Sequence, residues 1–425
     1  MAAFHVLNAV LFQKQGLDIA YAAVEADLSV MEARDRAFVR LLVTLCLKRA
    51  RQIDDVLAGL LHEPLDNLRP QQMINIFRIG IVQLAFLGTP AHAAVSTTVE
   101  LAEDAGVQHH KSLVNAVMRR LAATGFPEME DRDAGRANTP EWLWNAWMQD
   151  YGVETALEIA AAHLHEAPVD FTVTGDAVGW AEKLEGRVLP TGFSVRRDTA
   201  GYVPDLPGYD DGAWWVQNVS AALPAALLGD VTGKCVVDLC AAPGGKTAQL
   251  ARAGANVIAL DRSAPRMKRL EENMARLQCN VETVIADGAI WKPPELVDAV
   301  LLDAPCTATG TIRHQPDVLH LKTIKDQEKM CALQRRLMVA ALDMLKPGGI
   351  LVCCTCSLQK AEGEEQAAWL LEQGLPVSLM PIAVTEVPGI SDMLTNNGDI
   401  RCLPQYWGDK GGMDGFYVVR FVKEA

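Results

Sequence analysis

Asp238-Leu-Cys-Ala-Ala-Pro-Gly-Gly-Lys-Thr247 follows directly on the apolar run 234–237 and carries more of the fold than any other stretch of the chain. A strand that feeds a glycine-rich turn and then a helix, here expected from 247 to 252, is where open α/β sheets bind nucleotide-like cofactors. Gly244 and Gly245 suit a backbone that must bend sharply and approach a ligand without a Cβ in the way. The spacing is not G-x-G-x-x-G, which counts against a dinucleotide. What raises the turn above an ordinary glycine bend is the series that follows it in register: Asp261, Asp287, Asp303-Ala-Pro-Cys306 and Thr355-Cys-Ser357.

Downstream of residue 212, strand-like and helix-like segments alternate. Residues 235–239, 257–260, 281–286, 299–302 and 350–354 read as strands. Helical periodicity separates them, most clearly at 264–277 and at 325–345, the latter closed by Lys346-Pro-Gly-Gly349. Alternation of this kind predicts a parallel sheet with helices on both faces, and 377–384 and 416–422 predict an antiparallel pair at one edge. Upstream, residues 1–125 read as all-α, with apolar residues three and four apart along Phe4-Leu7-Val10-Leu11, Phe38-Leu41-Leu42-Leu45 and Ile76-Ile79-Leu84. The polar stretch 128–138, with Gly135, reads as a linker. A helix is then expected to start at Thr139 as N-cap and Pro140 in the first turn. Strand-like pieces at Phe171-Thr-Val-Thr174 and Phe193-Ser-Val-Arg196 make a small α+β connector. The expected domains are an all-α unit at 1–127, a linker and α+β subdomain at 128–211, and a Rossmann-like α/β domain at 212–425.

Composition narrows the class. The 425 residues are half apolar, enough for several cores. The uncharged runs 79–99 and 213–229 are broken by Pro, Gly or Gln and are not read as membrane spans. The first residues lack the basic region of a secretory signal, so a cytoplasmic protein with reduced thiols is expected. Of the ten cysteines, Cys353, Cys354 and Cys356 crowd together without a matching second cluster, and no metal site is expected. The net charge of −14 is unlike that of a simple nucleic-acid binder. Acidic and basic residues balance over 1–125, however, and there Arg34, Arg36, Arg40, Lys48, Arg49 and Arg51 cluster, with Lys111, Arg119 and Arg120 later. These form a candidate phosphate-tracking face.

The acidic series reads as a cofactor site. Asp261, at the end of the second strand, is placed to accept hydrogen bonds from both hydroxyls of a ribose, and Asp287 after the third strand to hold an adenine amine. The fourth strand speaks to the reaction. Enzymes that methylate exocyclic amines tend to carry Asn or Asp-Pro-Pro-aromatic there, whereas this chain has Asp303-Ala-Pro-Cys306, and a second thiol follows the fifth strand at Cys356. Carbon 5 of cytosine is too weak a nucleophile to take a methyl group unaided. Addition of a thiolate to carbon 6 creates an enamine that can take it, and a base must then remove the carbon-5 proton. Cys356 is the candidate nucleophile; Cys353 and Cys354 read as packing residues.

Together these motifs resemble those of the bacterial RNA cytosine-5 methyltransferases of the RsmB (Fmu/Sun) type. The resemblance spans nearly the whole chain through Trp215-Val-Gln217, Asp238–Thr247, Asp303–Gly310, Arg313 with Pro316-Asp317, Thr355-Cys-Ser357 and Met413-Asp-Gly-Phe416. Residues 1–125 resemble the NusB-like RNA-binding domain joined to that enzyme, through Pro90-Ala-His-Ala-Ala-Val95, Val114-Asn-Ala-Val117 and Arg119-Arg120. The resemblance implies S-adenosylmethionine held by Cys240, Ala241, Ala242, Pro243, Gly244, Gly245, Lys246, Asp261, Asp287 and Asp303. It implies Cys356 as nucleophile, Cys306 assisting breakdown of the covalent adduct, and Asp303 also touching the cytosine edge. The substrate implied is a cytosine of small-subunit (16S) rRNA, methylated to 5-methylcytosine by a monomeric enzyme that does not act at a membrane. Three positions depart from the pattern: Asn218 stands for the usual Asp, His314 for a second Arg, and Phe171-Thr-Val-Thr174 for Leu-Arg-Val-Asn. The same chemistry on tRNA or large-subunit rRNA is the nearest rival. A NusB-like binding protein without turnover predicts damaged motifs, and a nicotinamide oxidoreductase leaves both thiols unexplained.

Overall fold

The structure is a computed structural model and describes residues 1–199 and 201–425. It divides into two compact units: residues 1–165 with a returning segment, Ile312–Lys322, and residues 166–311 with 323–425.

The first unit is helical throughout. Helix Met73–Ala85 lies at its centre, buried at every position from Met73 to Gln83, its polar Arg78 paired with Asp54 and Asn75. Leu7, Leu47, Ile53, Leu57 and Met118 from the surrounding helices pack with its Phe77 to complete the core. Gly80 allows close approach to helix Ala91–Asp104, since a Cβ there would stand 2.4 Å from Thr98 Oγ1.

Three expectations for this unit change. Residues 128–138 do not form a linker: Asp131–Asn138 is a helix packed against helix Val153–Leu164. Gly135 is the contact that permits this, because a Cβ there would lie 2.5 Å from the Ala160 carbonyl carbon. The helical unit thus runs to residue 165 rather than 127. Thr139 is not an N-cap; its hydroxyl donates to Gly135 O at 2.8 Å, and Pro140 occupies the cap of helix Glu141–Tyr151. The basic cluster does not form a single phosphate-tracking face either. Lys48 is buried and donates to His165 O at 2.5 Å, while Arg49 and Arg40 stack over Phe86 and Tyr21. The returning segment is anchored by Leu17 N donating to Asp317 Oδ2 (3.0 Å) and by His320 Nε2 donating to Leu47 O (2.8 Å). Burial pushes the His320 imidazole down to about 4, so the neutral ring is the form that makes this bond.

The second unit holds two sheets. Strands β1 (Val169–Val173), β2 (Arg187–Val188), β3 (Ser194–Arg197) and β4 (Trp214–Val216) form a small antiparallel sheet in the order β2-β3-β1-β4. With helix Ala177–Lys183 they enclose Phe171, Val195 and Trp214, the α+β element expected of the connector. The large sheet contains β5 (Cys235–Leu239), β6 (Asn256–Asp261), β7 (Glu282–Ile285), β8 (Val297–Asp303), β9 (Leu345–Thr355), β10 (Val377–Leu379), β11 (Ile400–Cys402) and β12 (Phe416–Lys423). Its order is β10-β12-β9-β8-β5-β6-β7, with β11 also on β12. The five strands from β9 to β7 are parallel. Strands β10 and β12 form the expected antiparallel pair at one edge of the sheet, and β12 also runs antiparallel beside β9.

Alternation along the central strands explains the helices on both faces. Val236, Leu301 and Val352 point into one core with Val219 and Leu223, whereas Val237, Val300 and Leu351 point into another with Leu337, Met338 and Leu342. Cys353 and Cys354 fall one on each side, buried as packing residues. Helix Ile324–Met344 starts at a capping box formed by Thr323 and Asp326. Among the described residues, no helix is long and apolar enough to cross a membrane, and no cluster of His, Cys, Asp and Glu suits a metal ion.

Candidate active site

Every expected site residue stands at the carboxyl end of a parallel strand or in the turn after it, the edge of the sheet where α/β folds bind ligands. After β5 the chain enters the turn through Cys240, which adopts the left-handed region at φ 67°, and leaves it through Gly244 at φ 104°. Gly244 is the position that demands glycine: besides its φ, a Cβ would press on Leu270 and Met274 at 3.0 Å. Gly245 is the first residue of helix Gly245–Arg252, where a Cβ would meet only the Gln217 side chain at 3.4 Å.

Asp261, at the end of β6, is buried and braces the turn. It accepts from Ser263 N at 2.9 Å and Ala242 N at 3.3 Å, and Arg266 Nη1 lies 3.4 Å away. Arg266, which the sequence did not single out, also donates to Ala242 O. Asp287 is exposed after β7 and accepts from Ala289 N at 3.0 Å. Nearby in sequence, Ile285 and Ile290 are 58% and 74% exposed. Asp303 ends β8 and is joined to Lys246 Nζ at 2.7 Å. Burial works to lower the Lys246 pKa, but the Asp303 carboxylate outweighs it, and the ammonium is held charged beneath the turn.

Asp238 lies under the turn, fully buried, with Oδ2 accepting from Thr247 Oγ1 at 2.5 Å and Oδ1 without a partner. Burial raises its pKa to about 7, against about 3.9 for an unfolded chain. The folded protein therefore holds this proton more tightly than the unfolded chain between those values. The contribution of Asp238 to stability therefore falls as pH rises from about 4 to about 7. Asp238→Asn is neutral at every pH and should escape this dependence. Its melting temperature, measured against wild type from pH 5 to 8, is expected to gain on wild type as pH rises; parallel curves would refute the assignment.

The two thiols meet. Cys306, just beyond β8, and Cys356, just beyond β9, place their sulfurs 3.4 Å apart, and both are free thiols. The hydrogen bond to Cys356, burial, and the nearby negative charges of Cys356 and Glu362 push the Cys306 thiol well above its ordinary value. Either sulfur of the pair can donate to the other. The loop backbones are stitched together as well: Ala304 N donates to Cys354 O and Gly310 N to Cys356 O, both at 2.9 Å, and Gly415 N donates to Gly310 O at 2.9 Å. Beneath them, Thr307, Thr309, Ser357, Gln359 and Glu362 form a buried network. Of these five, Gln359 and Glu362 lie outside the motifs that the sequence singles out. Two thiols in contact, beside a carboxylate–ammonium pair and a turn suited to a nucleoside ligand, can add to an electrophilic ring carbon and exchange a proton with the adduct.

Of the motif departures, Asn218 is neutral in effect. Its side chain caps helix Val219–Ala226 by accepting from Ser220 N at 3.0 Å, as an aspartate would. In the departing β1 segment, Thr172 Oγ1 donates to Gln217 Oε1 at 2.8 Å.

Residues 225–422 match the model of the 16S rRNA methyltransferase RsmB/F family, and residues 1–123 match that of the NusB family. Ribosomal RNA small subunit methyltransferase B of Xylella fastidiosa (strain 9a5c) is 34% identical over the full length of both chains. The protein of the same name from Xanthomonas campestris pv. campestris is 36% identical over 90% of this chain and 89% of its own. Among solved structures, that of PH0851 superposes with a TM-score of 0.80 over 99% of this chain and 98% of its own; at 21% identity the likeness is one of fold.

Proposed function

Since the chain belongs to the family of ribosomal RNA small subunit methyltransferase B, we propose that it methylates carbon 5 of a cytosine in small-subunit rRNA through a covalent cysteine–cytosine adduct. The observation that carries the chemistry is the 3.4 Å contact between Cys306 and Cys356 at the ends of adjacent strands.

S-adenosylmethionine supplies the methyl group from its sulfonium centre. The residues that would hold it are those of the turn from Cys240 to Lys246, with Asp261, Asp287 and Asp303. Left-handed Gly244 opens the turn, and exposed Ile285 and Ile290, near Asp287 in sequence, would suit an adenine. Cys356 Sγ adds to carbon 6 of the cytosine and so raises the nucleophilicity of carbon 5. Asp303, which Lys246 holds at 2.7 Å, would hydrogen-bond the cytosine edge. Cys306 assists loss of the carbon-5 proton, after which the bond from Cys356 Sγ to carbon 6 breaks and the ring regains its aromaticity. A base held in RNA structure must be splayed out of its stack to reach the thiols. The NusB-like helical unit supplies further RNA affinity in this reading.

The test incubates the protein with labelled S-adenosylmethionine and protein-free small-subunit rRNA, large-subunit rRNA or tRNA, and maps methylcytosine by bisulfite sequencing. A single protected cytosine in small-subunit rRNA is expected. Label confined to tRNA or large-subunit rRNA would overturn the substrate and keep the mechanism.

A further inference from the structure

Glu362 is 1% exposed, in the short turn Lys360–Glu362 that precedes helix Glu364–Glu372. Its carboxylate touches neither thiol, yet it is bonded to the residue after each of them. Oε1 accepts from Thr307 N at 2.9 Å and from Gln334 Nε2 at 3.3 Å. Oε2 accepts from Ser357 Oγ at 2.7 Å and from Thr307 Oγ1. Its backbone carbonyl also takes the hydroxyl of Thr355, the residue before Cys356, at 3.1 Å. One residue thus grips the Cys306 loop at one point and brackets Cys356 on both sides.

We propose that Glu362 is a positioning residue that holds the two thiols in register. A carboxylate suits the task because its two oxygens accept in several directions at once, and the four donors offset the cost of burying it. Burial raises its pKa while the bonds from Thr307, Ser357 and Gln334 oppose the rise. A neutral replacement without oxygens would leave Thr307 N without its acceptor, leave Ser357 Oγ and Gln334 Nε2 only Gln359 Oε1 and Pro305 O, and leave the register of the two loops to their backbone hydrogen bonds alone. The displacement expected is a fraction of an ångström to an ångström, and misplacement on that scale costs on the order of 10²-fold in rate. A substrate contact is excluded by the burial of the carboxylate, so the role is exerted through the loops.

The inference rests on the two-thiol reading, and its test has one readout that needs no RNA. Wild type, Glu362→Ala and Glu362→Gln, as full chains, are treated with a diazenedicarboxamide. This oxidant takes two electrons and two protons from Cys306 and Cys356 to form their disulfide and is reduced to the hydrazine; peptide mass spectrometry reads the rate. The second readout is methylation of small-subunit rRNA. Glu362→Ala is expected to form the disulfide roughly tenfold more slowly and to lose about 10²-fold in kcat, with KM for both substrates within about twofold. Glu362→Gln retains an oxygen for Thr307 N and an amide the hydroxyls can turn to meet; it should recover to within about tenfold of wild type. Where Glu362→Ala fails to fold, Ser357→Ala removes one donor and should slow disulfide formation several-fold. Wild-type crosslinking and kcat in the folded variants would overturn the positioning role. Slower crosslinking in a protein that methylates no RNA would keep that role and overturn the catalytic reading.

Discussion

Cys356→Ser is expected to reduce RNA methylation by about 10⁴-fold or more while leaving S-adenosylmethionine binding within about twofold of wild type. Cys306→Ser is expected to accumulate a protein–RNA adduct that survives denaturation. The asymmetry follows from the proposed division of roles. The sulfurs are in contact, with Cys356 as the proposed nucleophile and Cys306 assisting breakdown of the adduct. Serine in place of Cys356 keeps the hydrogen bond and nearly the same volume, but its hydroxyl is far less acidic and less nucleophilic. The variant therefore separates nucleophilicity from packing. With Cys306 replaced, addition and methyl transfer proceed and loss of the carbon-5 proton stalls, leaving the covalent species. Denaturing gels with labelled RNA and equilibrium dialysis with labelled S-adenosylmethionine check both arms. Normal turnover by Cys306→Ser with no adduct would show that the two thiols do not divide the work in this way.

How much of this was legible in the sequence depends on how local each feature is. The turn after β5 and the parallel strands were legible because their signals lie in consecutive residues: an apolar run, then glycines, then helical periodicity. The pairing of Cys306 with Cys356 was legible one step further, because β8 and β9 are adjacent and parallel and so deliver the residues beyond their ends to one place. Glu362 was not. In Ala361-Glu-Gly-Glu-Glu365 it looks like one charge of a solvated helix start, and only the fold carries it beneath Thr307, 55 positions away. Lys48 was misread for the same reason, since a lysine in a basic run gives no sign that its ammonium is buried against a carbonyl. Gly135 was taken for flexibility when it marks a close helix contact. The packing of Ile312–Lys322 with the helical unit had no signature at all, because a short segment without its own period reveals nothing of its partner. Strand β11, at three residues, is likewise too short for alternation to show.

Asp170→Asn and Arg196→Met should each destabilise the second unit by about 3–5 kcal/mol, the largest stability effects expected of single substitutions in this protein. Both side chains are wholly buried and joined in a fork, Nε to Oδ1 at 2.6 Å and Nη2 to Oδ2 at 2.8 Å. Each also binds the large-sheet portion of the same unit. Asp170 Oδ2 accepts from Val219 N (3.0 Å) at the start of helix Val219–Ala226, while Arg196 Nη1 donates to Gly412 O (2.5 Å) and Lys410 O (2.9 Å). The pair therefore fixes the small sheet to the segment leading into Met413-Asp-Gly-Phe416, whose Gly415 N donates to Gly310 O on the Cys306 loop. Losing one partner leaves an uncompensated charge in a dry interior, which costs far more than the pair contributes as a unit. Replacing both by Asp170→Leu and Arg196→Met together should accordingly recover part of the loss. Denaturant unfolding of the two single variants and the double variant measures this coupling. Additive losses would mean that the two charges act independently and that the small sheet is held by its apolar core alone.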